Sequence, residues 1–324
     1  PPAQTLRWRS CIETNSKPWS ENYRHGFRAA FERHTYLILG RLDVDAITQE
    51  AALRCFKELW DSRPPTAAKL LRDCRKVWDW LRKCGYKVGP TDPFDIKHRL
   101  GDTGHRTKHR EAMHYRLVPT YLQKLRMLDD IEARAAEMQI LCACRPIEAI
   151  RAKIADIDLE GRVWAIDAED YKTGRKTGQG IRIPLSARAL EIVRQRVEAG
   201  GEWLFPKAGR ALADDALLRL LRSIGEASAT AHGFRSSFAD WCGDAGVPGE
   251  LRELSLGHTI GDATQQAYLR SDLLERRRPI MEAWSTHCSG RLKADNVVVL
   301  DAEARKDATS LDETQVRPDT AETA

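Results

Sequence analysis

The chain has 324 residues, of which 42% are hydrophobic and 31% are charged, which is typical of a globular protein long enough for two domains. No run approaches the ~18 apolar residues of a membrane span and no charged-then-apolar leader opens the chain, so we expect neither a membrane nor a secreted protein. The net charge of +5 is uneven, because residues 1–110 carry 22 Lys and Arg against 13 Asp and Glu. This basic first third favours a polyanionic partner, although a solvated helical surface explains the excess equally well.

Residues 22–90, after a short N-terminal remnant or linker over 1–21, predict a helical domain. Apolar residues recur at helical spacing over 22–39 and 49–60, and a third helix follows Pro64 and Pro65 and ends at Gly85. The apolar stripe of this third helix leaves six cations on its remaining surface: Lys69, Arg72, Arg75, Lys76, Arg82 and Lys83. Such a helix is suited to lying along a DNA backbone, and an ordinary amphipathic surface helix fits the same pattern.

Residues 91–115 predict a basic linker. They contain proline and glycine with little apolar periodicity, followed by the cations Arg106, Lys108 and Arg110. This segment is suited to bridging two faces of a duplex, and a plain solvated hinge is the alternative.

Residues 116–288 predict a second domain that is mixed α/β but rich in helix. Apolar spacing from Leu122 to Ala135 indicates one long helix that ends near Leu141. Two β-type runs, 163–167 and 181–185, are separated by Lys- and Gly-rich residues and therefore predict a hairpin with a long loop. Other helices are expected over 146–155, 186–197, 214–225, 234–245, 249–256 and 263–283. The fold class is therefore mostly α with a small β-hairpin or sheet (α+β).

The two remaining features are the tail and the cysteines. Residues 289–324 are acidic and polar apart from Val297–Leu300, so we expect a mostly disordered tail. The eight cysteines lack the spacing of a disulfide framework, and Cys142 and Cys144 are too close for the usual zinc pattern. We therefore expect reduced thiols and no metal.

Several charged residues stand where surface solubility is a poor explanation. Arg145 lies among Cys and Ala at a helix start and there needs an anion, either Glu148 or a ligand. His232 and Arg235 lie three residues apart at another helix N-terminus, an end that favours negative charge. Taken singly, each is more often structural. Together with His258, Tyr268 and a hairpin lysine, they are the groups that phosphoryl transfer without a metal requires.

The order of these motifs along the chain resembles the signature of the tyrosine recombinases, or phage integrases. The motifs are Arg145-Pro-Ile-Glu148, His232-Gly-Phe-Arg235, Leu256-Gly-His258 and Tyr268. The prophage and genomic-island group is the most similar. The hairpin that is typical of this group carries a Trp, a Lys and a Pro-Leu-Ser exit, which are matched here by Trp164, Lys172 and Pro184-Leu185-Ser186. The likeness covers about residues 112–284, and residues 22–90 resemble the family's core-binding domain.

The resemblance implies a site-specific recombinase that cuts and rejoins DNA through a 3′-phosphotyrosine intermediate, to integrate or excise a mobile element. Tyr268 would be the nucleophile, Arg145 and Arg235 would bind the phosphate oxygens, and His232 and His258 would hydrogen-bond the phosphate. The resemblance also implies double-stranded attachment sites as partners, a homotetramer on paired sites, DNA-bending accessory proteins, and a cytoplasmic, nucleoid-associated location. No ATP, metal or other cofactor is expected.

The general acid is a hairpin lysine, and two lysines compete for this role. Lys172 lies eight residues after Trp164, the offset of similar integrases, whereas Lys176 lies eight residues before Pro184, so the loop carries about four extra residues. We favour Lys172, because the outgoing strand should hold it close to the scissile phosphate, and Lys176 is the alternative.

The chain also departs from the family. Ala143-Cys144 stands where a Thr-Gly pair is common, which changes how tightly the loop turns without removing a catalytic group. The small domain that binds arm-type DNA sites is expected to be absent or removed, and strand cleavage does not depend on it. A type IB topoisomerase shares the chemistry and is the first alternative. A non-catalytic DNA-binding relic is the second, although it should have lost Arg145, Arg235 or Tyr268.

Overall fold

The computed structural model describes residues 8–15, 19, 21–86, 88–102, 112–225, 230–260 and 271–290, without the side chains of Asn22, Arg175 and Lys176. The chain divides into two compact units, residues 1–108 and 109–324, each with its own buried core. Four residues expected to act on DNA lie outside the described residues: Arg106, Lys108, Arg110 and Tyr268. The predicted tail lies outside them from residue 291 onward.

The described part of the first unit is helical. Its helices are α1 (Trp8–Asn15), α2 (Glu21–His34), α3 (Tyr36–Leu39), α4 (Gln49–Ser62), α5 (Pro64–Lys83) and α6 (Lys97–Leu100). Helix α4 begins after Thr48, whose hydroxyl accepts a hydrogen bond from the Ala51 amide at 3.2 Å. Helix α5 begins with Pro64 and Pro65, where a missing amide costs no helical bond.

The core of this unit extends beyond the predicted bounds 22–90. Helix α1 lies in the stretch 1–21, for which no helix was predicted, and its Trp8 ring stacks on Phe94 with the centroids 5.0 Å apart. Phe94 and Ile96 belong to the predicted linker but are fully buried in the same core. The single helix predicted over 22–39 was also wrong, because Thr35 (φ −125°) separates α2 from α3.

The second unit combines helices with one small antiparallel sheet. Its helices are α7 (Val118–Arg126), α8 (Ile131–Leu141), α9 (Pro146–Ile150), α10 (Gly174–Thr177), α11 (Ala187–Ala199), α12 (Ala216–Ser223), α13 (Gly233–Asp244), α14 (Gly249–Ser255) and α15 (Leu274–Cys288). Its strands are β1 (Ile157–Asp158), β2 (Val163–Ile166) and β3 (Ile181–Pro184). The sheet order is β1-β2-β3, and Trp164 pairs with Ile183 in the predicted hairpin. Helix α10 lies inside the hairpin loop, where about four extra residues were expected.

The long helix predicted to end near Leu141 was wrong, because the chain forms two helices, α7 and α8. Asp130 between them is extended, with φ −118° and ψ 141°. Arg134 Nη2 donates to the carbonyls of Leu125 and Leu128 at 2.9 and 2.7 Å, so a side chain satisfies the end of α7. Apolar spacing alone does not reveal a break that a tertiary contact stabilises.

Helix α8 lies in the centre of the second core. Every residue from Ala135 to Leu141 is buried, including Glu137, which is fully inaccessible to solvent. The Glu137 carboxylate forms ion pairs with three arginines: Arg126 at 2.7 Å, Arg134 at 3.2 Å and Arg188 at 3.0 Å. The helix thus connects α7 and α11, and it leads directly into the loop before Arg145.

Candidate phosphate-binding site

Arg145 lies at the N-terminus of α9 and is 8% exposed. The Glu148 carboxylate accepts from both the Arg145 backbone amide and Nη1, each at 2.7 Å. Nη2 of Arg145 also donates to the Gly257 carbonyl at 3.3 Å, and the guanidinium lies 4.9 Å from the ring centre of Tyr171. Burial opposes the positive charge, but Tyr171 and Glu148 outweigh it and raise the pKa of Arg145. Glu148 is therefore a partner of Arg145, which remains charged in its buried place.

The loop before Arg145 makes a tight turn. Ala143 takes φ +48°, a left-handed conformation that costs a non-glycine residue about 1–2 kcal/mol. The buried Gln139 amide donates to the carbonyls of Cys144 at 3.2 Å and Ala231 at 2.9 Å. Gln139 therefore connects the loop before Arg145 with the residue before His232. Sequence reasoning missed this role, although a glutamine in the apolar end of α8 was a usable signal.

Arg235 comes from the first turn of α13 and is 6% exposed. Its Nη1 donates to the Ala143 carbonyl at 2.8 Å, and its Nη2 donates to the Leu256 carbonyl at 2.6 Å. Burial and the nearby charge of Arg145 lower the pKa of Arg235. The fold thus holds two like charges near each other, an arrangement that an anion would stabilise.

His258 completes this cluster. Its Nε2 lies 3.0 Å from Arg235 Nη2, and its Nδ1 lies 2.6 Å from Glu253 Oε2. Because a guanidinium only donates, Nε2 must accept, and the proton lies on Nδ1, which donates to Glu253. Burial opposes the charge of Glu253, but hydrogen bonds from His258 and Arg252 lower the pKa of this carboxyl. Glu253 therefore sets the tautomer of His258, a role that the motif did not reveal.

The other predicted site residues are either exposed or outside the described part of the chain. His232 is exposed at the N-terminus of α13, one turn before Arg235. Lys172 is exposed in the hairpin loop directly after Tyr171, which is buried. The side chain of Lys176 and all of Tyr268 lie outside the described residues. The structure therefore brings Arg145, Arg235 and His258 together, and it places Lys172 beside Tyr171, a neighbour of Arg145.

An open cleft of about 1020 Å³ lies beside the cluster. Residues of the hairpin line it, with Tyr171 and Arg182 among them, and so does His258. Ile260 and Ser271, the described residues that flank 261–270, also line the cleft. The cleft is therefore bordered by the hairpin and by both flanks of the segment that contains Tyr268.

In the first unit, the structure sorts the six cations of α5 into two groups, all of them exposed. At about 100° per residue, Lys69, Arg72, Lys76 and Lys83 fall within about 60° of one another around the helix. Arg75 and Arg82 lie on another side and pair with acids: Arg75 with Asp92 at 3.0 Å, and Arg82 with Asp79 at 3.2 Å.

Two of the four clustered cations also have intramolecular partners. Lys76 pairs with the buried Asp73 at 3.0 Å, and Lys69 Nζ lies 4.7 Å from the ring centre of Tyr23. Among the described residues, no ion pair involves Arg72 or Lys83. This face of α5 therefore combines uncompensated positive charge with an aromatic side chain, as nucleic-acid-binding surfaces do.

The described ranges contain no group of three or more His, Cys, Asp or Glu that could hold a metal ion. None of the helices described is both long and apolar enough to cross a membrane.

Two family models match the chain. The model of the phage integrase family matches residues 118–274, and the model of the phage integrase central domain matches residues 7–90. The first match spans Arg145, Arg235, His258 and Tyr268, and the second contains α5.

Curated relatives are similar over part or most of the chain. Prophage integrase IntA of Escherichia coli K12 is 31% identical over 153 residues, which are 45% of this chain and 36% of IntA. The match thus spans about a third of that relative's length. The integrase of Shigella phage Sf6 is 24% identical over 282 residues, covering 82% of this chain and 70% of that protein.

Solved structures share the fold. The Tn1549 transposon integrase in complex with a circular intermediate DNA has a TM-score of 0.62 at 14% identity, covering 82% of this chain and 95% of that one. A lambda integrase dimer bound to a COC′ core site has a TM-score of 0.61 at 17% identity, with the same coverage. A lambda integrase tetramer bound to a Holliday junction also has a TM-score of 0.61, and the match covers 79% of this chain and 77% of that one.

Proposed function

The chain belongs to the phage integrase family of tyrosine recombinases, and from this premise we propose that it is a site-specific DNA recombinase. It cuts and rejoins DNA strands through a 3′-phosphotyrosine intermediate and thereby integrates or excises a mobile element. The observation that carries this proposal is the cluster of Arg145, Arg235 and His258, in which two buried like charges lie near each other. A scissile phosphate is the anion that suits this cluster.

The two arginines stabilise the charge that develops during phosphoryl transfer. Among the described residues, Arg235 uses three of its five N–H donors, on Ala143, Leu256 and His258. The remaining donors are available for non-bridging phosphate oxygens. Because the backbone already holds both guanidinium groups, they need little reorganisation when the pentavalent transition state forms.

The proposed nucleophile and the proposed acid come from different segments of the chain. The Tyr268 hydroxyl passes its proton to a site histidine as its oxygen attacks phosphorus, the bond from phosphorus to the 5′-oxygen breaks, and Lys172 gives a proton to that oxygen. His232 hydrogen-bonds the phosphate, and His258 does so once its Nε2, which accepts from Arg235 in this structure, has taken up a proton. In the reverse step a 5′-hydroxyl attacks the phosphotyrosine, so the bond is restored without ATP. Lys176 is the alternative acid.

The two units have separate roles in this proposal. The first unit, whose core includes α1, Phe94 and Ile96 besides residues 22–90, forms the core-binding domain, and residues 116–288 form the catalytic domain after the basic linker. Four protomers assemble on paired double-stranded attachment sites, with DNA-bending accessory proteins as further partners. This assembly is supported by the likeness to lambda integrase, whose tetramer is bound to a Holliday junction. Chromosomal DNA as substrate implies action in the bacterial cytoplasm, at the nucleoid.

The proposal is tested by trapping a covalent complex on a nicked suicide substrate that carries the candidate crossover site. Wild-type protein should form the adduct, whereas Tyr268→Phe should bind DNA equally well and form none, because it lacks only the nucleophilic oxygen. An adduct of undiminished yield from Tyr268→Phe would assign the nucleophile to another tyrosine. Relaxation of supercoiled plasmid by monomers, without two-site recombination, would favour the type IB topoisomerase.

A further inference from the structure

Tyr171 lies where three predicted catalytic motifs meet. Its side chain is 5% exposed, and its hydroxyl donates to the Gly257 carbonyl at 2.7 Å. The Arg145 guanidinium lies over its ring, 4.9 Å from the centroid. The next residue along the chain is Lys172. One side chain thus contacts Arg145 and the loop before His258, and it belongs to the loop that carries the predicted acid.

The Tyr171 contacts depend on the local backbone. Gly257 takes φ +63°, and a Cβ there would fall inside van der Waals contact with the Tyr171 hydroxyl. On the other side, the Tyr171 amide donates to the Asp167 carbonyl at 2.9 Å, and the Gly174 amide donates to the Tyr171 carbonyl at 3.0 Å. The backbone on both sides of the ring is therefore held in place.

We propose that Tyr171 is a positioning residue for strand cleavage, which holds Arg145 with its ring and the Gly257–His258 loop with its hydroxyl. This inference rests on the proposed function. Apart from the Tyr171 ring, the Arg145 guanidinium is held by Glu148 and by a long hydrogen bond to the Gly257 carbonyl, so without the ring it is less firmly oriented toward the place of the phosphate. Tyr171 itself does not touch the reacting atoms.

Two variants separate the ring from the hydroxyl. Tyr171→Leu removes both and should slow adduct formation about 10²-fold at saturating DNA, the cost of a small misplacement of a catalytic group. Tyr171→Phe keeps the ring over Arg145 and should lose only about fivefold, the worth of one ordinary hydrogen bond. DNA affinity should be unchanged in both variants.

Tyr115→Leu is the matched control for lost packing. Tyr115 is similarly buried, at 7% exposed, and its hydroxyl donates to Asp244 at 2.5 Å, but among the described residues it has no hydrogen bond, ion pair or ring contact with a predicted site residue. This variant should lower thermal stability at least as much as Tyr171→Leu does and leave the cleavage rate of the folded protein unchanged.

A neutral substrate shows whether Tyr171 acts through Arg145. A methylphosphonate at the scissile position lacks one charged oxygen, so the guanidinium has less charge to stabilise. Wild type and Tyr171→Leu should cleave the methylphosphonate at closely similar rates. If Tyr171→Leu instead cleaved both substrates more slowly than wild type by the same factor, the defect would be merely structural and the inference would be overturned.

Two other results would also overturn it. One is a wild-type rate for Tyr171→Leu on ordinary DNA. The other is loss of the adduct in Tyr171→Phe but not in Tyr268→Phe, which would make Tyr171 the nucleophile. Failure of the wild type to form any adduct would refute the proposed function instead.

Discussion

Arg182 and Asp272 are joined by two parallel hydrogen bonds, from Nε at 2.9 Å and from Nη2 at 2.6 Å. Arg182 lies on β3, and Asp272 lies four residues after Tyr268. From the other side Arg277, which is 1% exposed, donates to the Asp272 backbone carbonyl at 2.8 Å and to its carboxylate at 3.1 Å. Burial opposes the charge of Asp272, but both arginines outweigh it and lower the pKa of this carboxyl. The chain just beyond the proposed nucleophile is thus fixed to the hairpin and to α15.

We expect Arg182→Ala to slow adduct formation about ten- to a hundredfold, because the hairpin then loses its direct side-chain link to Asp272 and keeps only the indirect one through Arg277. Stability should fall by less than about 1 kcal/mol, since the Arg182 side chain is 56% exposed. Asp272→Ala is a poorer test, because it leaves the buried Arg277 without a carboxylate. Arg219→Ala removes a comparably exposed bidentate pair with Asp215 and should not change the rate. Equal rates for Arg182→Ala and wild type would contradict this expectation.

The two faces of α5 make separate predictions about DNA binding. Arg72→Gln with Lys83→Gln should reduce the slope of log affinity against log salt by about 2, one unit for each lost phosphate contact. Arg75→Gln with Arg82→Gln removes the same charge from the acid-paired face and should leave the slope unchanged. Binding titrations over a range of salt concentrations measure both. If the two double variants gave the same slope, the sorting of the cations would have no bearing on DNA binding.

We expect the contribution of Glu137 to the free energy of unfolding to depend on pH. Burial opposes its charge, but hydrogen bonds from Arg188 and Arg126 outweigh it and lower the pKa of the carboxyl in the folded state. A lowered pKa stabilises the fold fully above the unfolded value of about 4.3, and this contribution is lost as the pH falls through the folded value.

Glu137→Gln should therefore destabilise the second unit by about 1–3 kcal/mol near neutral pH, because three partly buried arginines lose their counter-charge. In urea unfolding, the difference from wild type should stay constant between about pH 6 and 8 and narrow below about pH 4. Glu191→Gln, which removes an exposed partner of Arg188, should cost less than about 1 kcal/mol. A difference that stayed flat down to pH 3 would show that the charge of Glu137 is not the cause.

The sequence predicted the helices and strands whose formation depends on the pattern of neighbouring residues. Apolar spacing predicted α4 and α5, and alternation with turn residues predicted the pairing of β2 with β3. The break before α8 was missed because Arg134 stabilises it through carbonyls of another helix. Helix α1 was missed because Trp8 packs on Phe94, which is distant in the sequence.

The same distinction holds within the candidate site. The motifs identified Arg145, Arg235 and His258 as residue types, and the family resemblance predicted that they meet. Which atom of His258 carries the proton depends on Glu253, and the orientation of Arg145 depends on Tyr171. Neither Glu253 nor Tyr171 belongs to one of the motifs. Each acts through a contact that forms only when the chain has folded.

The choice between the two candidate acids depends on the same hairpin. Tyr171 is buried against Arg145, and Lys172 is the next residue along the chain. Lys172 is exposed and has no ion pair among the described residues, whereas the backbone of Lys176 lies in α10, further along the loop. This geometry favours Lys172, in agreement with its offset from Trp164.

We expect Lys172→Ala to slow cleavage of a normal 5′-oxygen leaving group by about 10²–10⁴-fold, the usual contribution of general acid catalysis. A 5′-thio leaving group scarcely needs a proton, so the thio substrate should restore the rate of this variant. Lys176→Ala is the matched control, because it removes the same charge from the same loop, and it should change little on either substrate. Both rates are measured as adduct formation in a single turnover, with DNA affinity checked separately. If the thio substrate rescued Lys176→Ala instead, the acid would be Lys176, and α10 would have to bring that lysine to the phosphate when DNA binds.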